Sequence, residues 1–232
     1  MEPLFLAIVL AGVAGLSMPL GAWLATLKDE PEPINHAITA FGGGALVSAV
    51  ALVLVPDGAE HLPGWLSCLL LLLGGLVFFI VDKAVSKSGG AGALLLAMLL
   101  DYLPEAAALG AMIVIDRATA WVLAAIIFLQ NLPEGYSAFR EILASHTVPK
   151  KRGFALFIAL ALIGPVCAVI GLTTLADQRA LLGGIMIFAA GGILYLVFQD
   201  VAPSISGEGE ARPALGAVAG FALGLAGHLA AG

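Results

Sequence analysis

Eight long apolar segments run through this 232-residue chain and leave it one class of fold. They cover about residues 4–27, 34–56, 64–82, 91–115, 118–140, 153–176, 180–201 and 213–231. A bilayer core takes roughly 20 apolar residues of α-helix at 1.5 Å each, so each run is the right length for a span. Hydrophobic residues make up 61% of the chain and charged residues only 11%, too few polar groups to cover a soluble domain. The runs are continuous rather than alternating over about 10 residues, which excludes a β-barrel. The expectation is an all-α polytopic membrane protein: one domain over 1–232, eight transmembrane helices, multi-pass in the cell's inner (plasma) membrane.

Other classes fall away on composition. Met1-Glu2-Pro3-Leu4 lacks the basic stretch that opens a secretory signal, so the first run is expected to remain as a helix. Cys68 and Cys167 lie singly in apolar runs and read as small buried hydrophobes. Basic residues form no stripe for nucleic acid. An enzyme is not expected, because the chain has no nucleophile–base pair and no hydrolytic His motif.

Orientation follows from Lys and Arg in the connections. The odd-numbered loops carry Lys28, Lys83, Lys87, Arg140, Lys150, Lys151, Arg152 and Arg212; the even-numbered loops carry only Arg117 and Arg179. The odd loops are therefore assigned to the cytoplasm and both termini to the extracytoplasmic side.

Two near-copies interrupt the apolar runs: Asp101-Tyr102-Leu103-Pro104-Glu105-Ala106 and Gln130-Asn131-Leu132-Pro133-Glu134-Gly135. Asp101 and Glu105 fall 10 and 14 residues after residue 91. That is roughly 15–21 Å along a helix, near the bilayer midplane. Gln130 and Glu134 lie at similar depth in the next helix, which a short turn at Asp116-Arg117 makes its neighbour. Spacing of i and i+4 puts each pair on one helical face. Pro104 and Pro133 donate no N–H, which frees the carbonyls of Leu100 and Leu129. Proline alone would signal only a kink. Three acids at matched depth, with no embedded Lys or Arg, must take protons or a cation. A divalent-cation site is the expectation.

These motifs resemble those of the ZIP (Zrt/Irt-like) family of divalent-metal transporters, whose fourth and fifth helices carry His-Asn-x-Pro-Glu-Gly and (His/Gln)-(Glu/Asp)-x-Pro-(His/Glu). Phe41-Gly42-Gly43-Gly44 followed by Leu54-Val55-Pro56-Asp57 resembles that family's second helix, and Gly191, Gly192, Tyr195, Asp200 and Pro203 its seventh. The resemblance covers essentially the whole chain. It implies eight helices with both termini outside, and a bundle of the first, fourth, fifth and sixth helices moving against the rest. It also implies uptake of a divalent metal through Asp101, Glu105, Gln130 and Glu134, with Asn131, Asp57 and Asp200 as further candidates. Asp101 stands where the family has His, Tyr102 where it has Asn, and Asn131 where it has an acid. The sixth helix carries no acid. One metal rather than two is therefore expected. Losing the imidazole leans the set towards harder ions, since carboxylates suit manganese and ferrous iron as well as zinc. Family likeness keeps zinc in front, with cadmium, ferrous iron and manganese as alternatives.

Asp57, Glu60 and His61 at the outer end of the second helix fit either an entrance or a solvated helix end. Asp200, Glu208 and Glu210 fit a release path or solvated loop charges. Small-residue stripes such as Gly42 to Gly44 and Gly220 with Gly224 fit sliding helix surfaces or a homodimer contact. Two rival functions stand beside transport of a metal. One is a non-transporting membrane protein with a structural metal, and the other is a proton-coupled carrier of another substrate.

Overall fold

The computed structural model describes residues 2–27, 31–86, 91–145, 148–205 and 211–231, with no side chain described at 85–86, 91–97, 100–101, 145 and 231. The described residues form helices and no strand. Among the described residues eight helical rods follow one another: α1 (Pro3–Leu24), α2 (Glu32–Glu60), α3 (Gly64–Ser86), α4 (Ala91–Ile115), α5 (Arg117–Ser145), α6 (Lys150–Leu175), α7 (Arg179–Ser204) and α8 (Arg212–Ala231). Each coincides with one apolar run. The main difference is α5, which continues to Ser145 past Arg140 and Glu141, where falling hydropathy had suggested an end.

Six of the rods are long and apolar enough to cross a membrane by length and composition: α1, α2, α3, α6, α7 and α8. The described part of α4 adds the shorter apolar stretch Tyr102–Ile115. The middle of α5 is where Gln130, Asn131 and Glu134 fall. Apolar side chains face outward in quantity, with Trp65, Leu72, Leu162 and Phe198 all well exposed. A water-facing monomer rarely shows so continuous an apolar exterior. The all-helical fold with its long apolar rods fits a helical membrane protein. Cys68 belongs to that exterior and is exposed rather than buried; Cys167 is half-buried.

Prolines shape the rods in two ways. Pro104 and Pro133 sit inside α4 and α5, which remain α-helical through them. Pro56 and Pro203 instead follow wide π-type turns at Val50–Leu54 and Val197–Val201. Proline cannot bond to the carbonyl four residues back and crowds it, and a wider turn relieves that contact. Asp57 and Asp200 lie at these two irregular places.

Packing sorts the rods. α1 lies along α5 and α6, and α4 packs on α5 and α6. α2 pairs with α8, and α3 with α7, while the end of α2 meets α7. The two sets touch through α2 and α8 on α5 and through α4 on α7. The glycine run of α2 sits at the crossing. A Cβ at Gly42 would meet Pro133 of α5, one at Gly43 would meet Val201 of α7, and one at Gly44 would collide with the Ala217 backbone of α8. Gly220 and Gly224 of α8 press on Phe41 and Ser48. These small residues therefore serve contacts within the chain, where backbones approach closely.

The α4–α5 turn is fixed locally. Asp116 accepts hydrogen bonds from the Thr119 hydroxyl at 2.7 Å and the Ala118 N–H at 3.0 Å, capping the start of α5. These bonds, the Thr119 hydroxyl first, hold its carboxyl below the usual carboxylate range. Asp116→Ala should lower stability by about 1 kcal/mol, as loss of an N-cap does. The cap's contribution is present above the ordinary carboxylate pKa of roughly 3.9 and fades as pH falls through the lower folded value. Thermal unfolding of both proteins at neutral and acid pH checks this, the difference being expected to shrink in acid.

Candidate functional site

The twin motifs bring α4 and α5 together in the interior. Glu105 is 0% exposed, Gln130 1% and Asn131 0%, while Glu134 is half-buried. Gln130 Nε2 donates to Glu105 Oε2 at 2.5 Å. This bond joins the two motifs directly, as matched depth and the short Asp116 turn predict. Glu105 Oε1, Gln130 Oε1 and both amide atoms of Asn131 have no hydrogen-bond partner among the described residues. Buried polar atoms left unpaired each cost about 1–3 kcal/mol, and native interiors hold few of them. Three oxygens, on Glu105, Gln130 and Asn131, and the Asn131 amide nitrogen are thus left unpaired. Carboxylate and amide oxygens are the ligand type that hard cations take.

Asp101 lies one turn before Glu105 on α4, and its side chain is outside the described residues. Glu208 and Glu210 also lie outside them, as do Lys28 and Lys87. Among the described residues no three His, Cys, Asp or Glu side chains converge as a metal cluster. The described carboxylates of the site are Glu105 and Glu134, completed by amide oxygens.

Gln130 and Glu134 open onto a cavity of about 270 Å³ between α2, α5 and α7. Asp200, at the wide turn of α7, and Glu141, near the end of α5, line the same cavity. Asp200 thus shares a space with the motif residues. Asp57 does not. It lines two small cavities of about 110 and 100 Å³ at the other end of the bundle, with Asp116 between them and Glu60, His61 and His228 around them. Along the rods between that end and Glu105, Val53, Leu54, Leu109, Met112 and Leu123 are all buried. A cavity therefore adjoins the motif residues on the Asp200 side, and buried apolar side chains lie on the Asp57 side.

Sequence reasoning missed part of the Asp200-end cavity. His36, Asn35, Thr39 and Ser137 line it. Tyr136 donates to Asn35 Oδ1 at 2.8 Å, and the Thr39 and Ser137 hydroxyls are 2.7 Å apart, forming a polar seam between α2 and α5. The signal was present as Asn35 and Thr39 one turn apart on α2 and the adjacent Tyr136 and Ser137 on α5, but nothing in one sequence says that α2 meets α5. Asp82, which reads as a boundary partner of Lys83, accepts a hydrogen bond from Tyr195 at 2.7 Å, while Lys83 lies over the Phe79 ring.

Tyr102 does not join the acceptor set. It is fully buried, and its hydroxyl donates to the Ala11 carbonyl of α1 at 3.2 Å. A Cβ at Gly15 of α1 or Gly164 of α6 would strike its ring or hydroxyl, so the two glycines form the slot that holds it. The residue that departs most from the motif thus ties α1, α4 and α6 into one unit.

No protein-family model matches the sequence, and no curated protein does. The likeness to the ZIP family rests on the sequence motifs alone.

Proposed function

We propose that this chain is a ZIP-like transporter that moves a divalent metal cation into the cytoplasm. The observation that carries the reading is the buried Gln130–Glu105 pair with its unpaired oxygens, opening through Glu134 to a cavity lined by Asp200 and Glu141. Glu105 and Glu134 are the central ligands in this proposal, and Gln130 and Asp101 complete the shell. Asn131 is a further oxygen donor, Asp57 an entrance residue and Asp200 an exit residue. Zinc is the favoured ion, followed by cadmium, ferrous iron and manganese. No catalytic role and no nucleic-acid partner is proposed.

In this reading all eight rods span the inner (plasma) membrane, and both termini are extracytoplasmic, as the Lys and Arg bias favours. The open cavity then faces the cytoplasm and the apolar plug faces outward. Alternating access moves α1, α4, α5 and α6 against α2, α3, α7 and α8. The division of packing between these sets supports this, since their contacts include the shallow Gly42–Pro133 meeting. The Tyr102 lock lies within the first set, so it does not bar the motion. Arrival of the ion requires both glutamates deprotonated, so protons compete with metal and uptake falls as the outside pH drops.

Sealed proteoliposomes offered zinc, cadmium, ferrous iron or manganese at one pH test the proposal. Saturable entry of at least one ion, slowed at lower pH, is expected. Tightly held metal that never crosses the bilayer would instead support a structural-metal protein.

A further inference from the structure

A second cavity plays no part in this path. It lies between α1, α2, α5 and α8 and has a volume of about 880 Å³, against about 270 Å³ for the cavity at the site. Small-molecule sites span roughly 300–1,000 Å³, so its size suits an organic ligand. Leu27, Ile34 and Phe41 are typical of its walls, and only Tyr136 and Arg212 among its described lining residues are polar. The Tyr136 hydroxyl is already committed to Asn35, which lines the neighbouring cavity and not this one. What remains is an apolar trough with one exposed guanidinium at the start of α8.

That combination selects an amphiphile with a negative head. Hydrocarbon fills the trough at no desolvation cost, and a phosphate pairs with Arg212 through charge-assisted, bidentate hydrogen bonds. The outward apolar belt already sets the chain among lipids. We propose that the groove binds one acyl chain of an anionic phospholipid, with its phosphate on Arg212. Pro133 lines both this groove and the cavity at the site, and Tyr136 bonds across to Asn35. The lipid therefore seats against the wall of the site and braces α2 on α5. This binding is independent of whether the chain carries metal.

Native mass spectrometry of the full chain, with phosphatidylglycerol or phosphatidylcholine added, tests the assignment. The wild type should retain phosphatidylglycerol over phosphatidylcholine by about fivefold, the preference one basic residue gives near a membrane surface. Arg212→Gln should remove the preference and leave weak binding of both lipids. Ile34→Trp should block both, and because Ile34 is 39% exposed the larger ring has room without disturbing the core. An unchanged preference in Arg212→Gln would overturn the proposal. So would wild-type lipid retention in Ile34→Trp, or a stable lipid-free dimer, which would mean a second copy covers the groove.

Discussion

If the proposed metal site is right, alanine at both Glu105 and Glu134 should lower divalent-metal affinity by more than about 100-fold, the upper range for losing even an outer-shell partner of a metal site. Equilibrium dialysis of zinc against the detergent-solubilised chain reads this. The size follows from the geometry. Glu105 is fully buried and bonded to Gln130, and Glu134 opens onto the adjoining cavity, so these are the described carboxylates of the site. In the proposed shell, removing both leaves Asp101 and uncharged amide oxygens, a single carboxylate to offset a dehydrated dication. Thermal unfolding of both proteins separates a loss of binding from a loss of fold. Retained thermal stability alongside lost binding is the expected pattern. Unchanged zinc binding would remove the twin motifs from the site.

Tyr102→Ala is the second large effect, a destabilisation of about 3–5 kcal/mol, as for other buried aromatic side chains cut back to alanine. The ring fills the slot between Gly15 and Gly164 and its hydroxyl reaches the Ala11 carbonyl, so its loss opens a void shared by α1, α4 and α6. Backbones held at glycine contacts cannot collapse far into such a void. Tyr102→Phe keeps the ring and loses one hydrogen bond, worth about 1 kcal/mol. Thermal unfolding in detergent should rank wild type, Tyr102→Phe and Tyr102→Ala in that order. Zinc binding by Tyr102→Phe should match the wild type, because the hydroxyl points to α1 and not to the acceptor oxygens.

Much of the fold can be read from the sequence because hydropathy speaks directly to helix length in a bilayer. The end of α5 could not be, since Arg140 and Glu141 lower hydropathy while the helix continues. The meeting of Glu105 with Gln130 was also accessible: a short turn at Asp116 and i, i+4 spacing leave two helical faces little freedom. The Asn35–Tyr136 and Thr39–Ser137 seam was not, because it depends on α2 crossing α5, a contact 98 residues apart for the second pair. The glycine run of α2 signalled close packing, but only its three different neighbours assign it to contacts within the chain. Tyr102 read as a missing ligand, and in three dimensions it is a packing residue held by two distant glycines.

The most direct test is the initial rate of zinc entry into sealed vesicles, compared between the wild type and Glu105→Ala/Glu134→Ala at equal protein density. Saturable entry through the wild type and none above the protein-free background through the double variant is the predicted result. Equal rates would contradict the assignment of these two glutamates to the transport path.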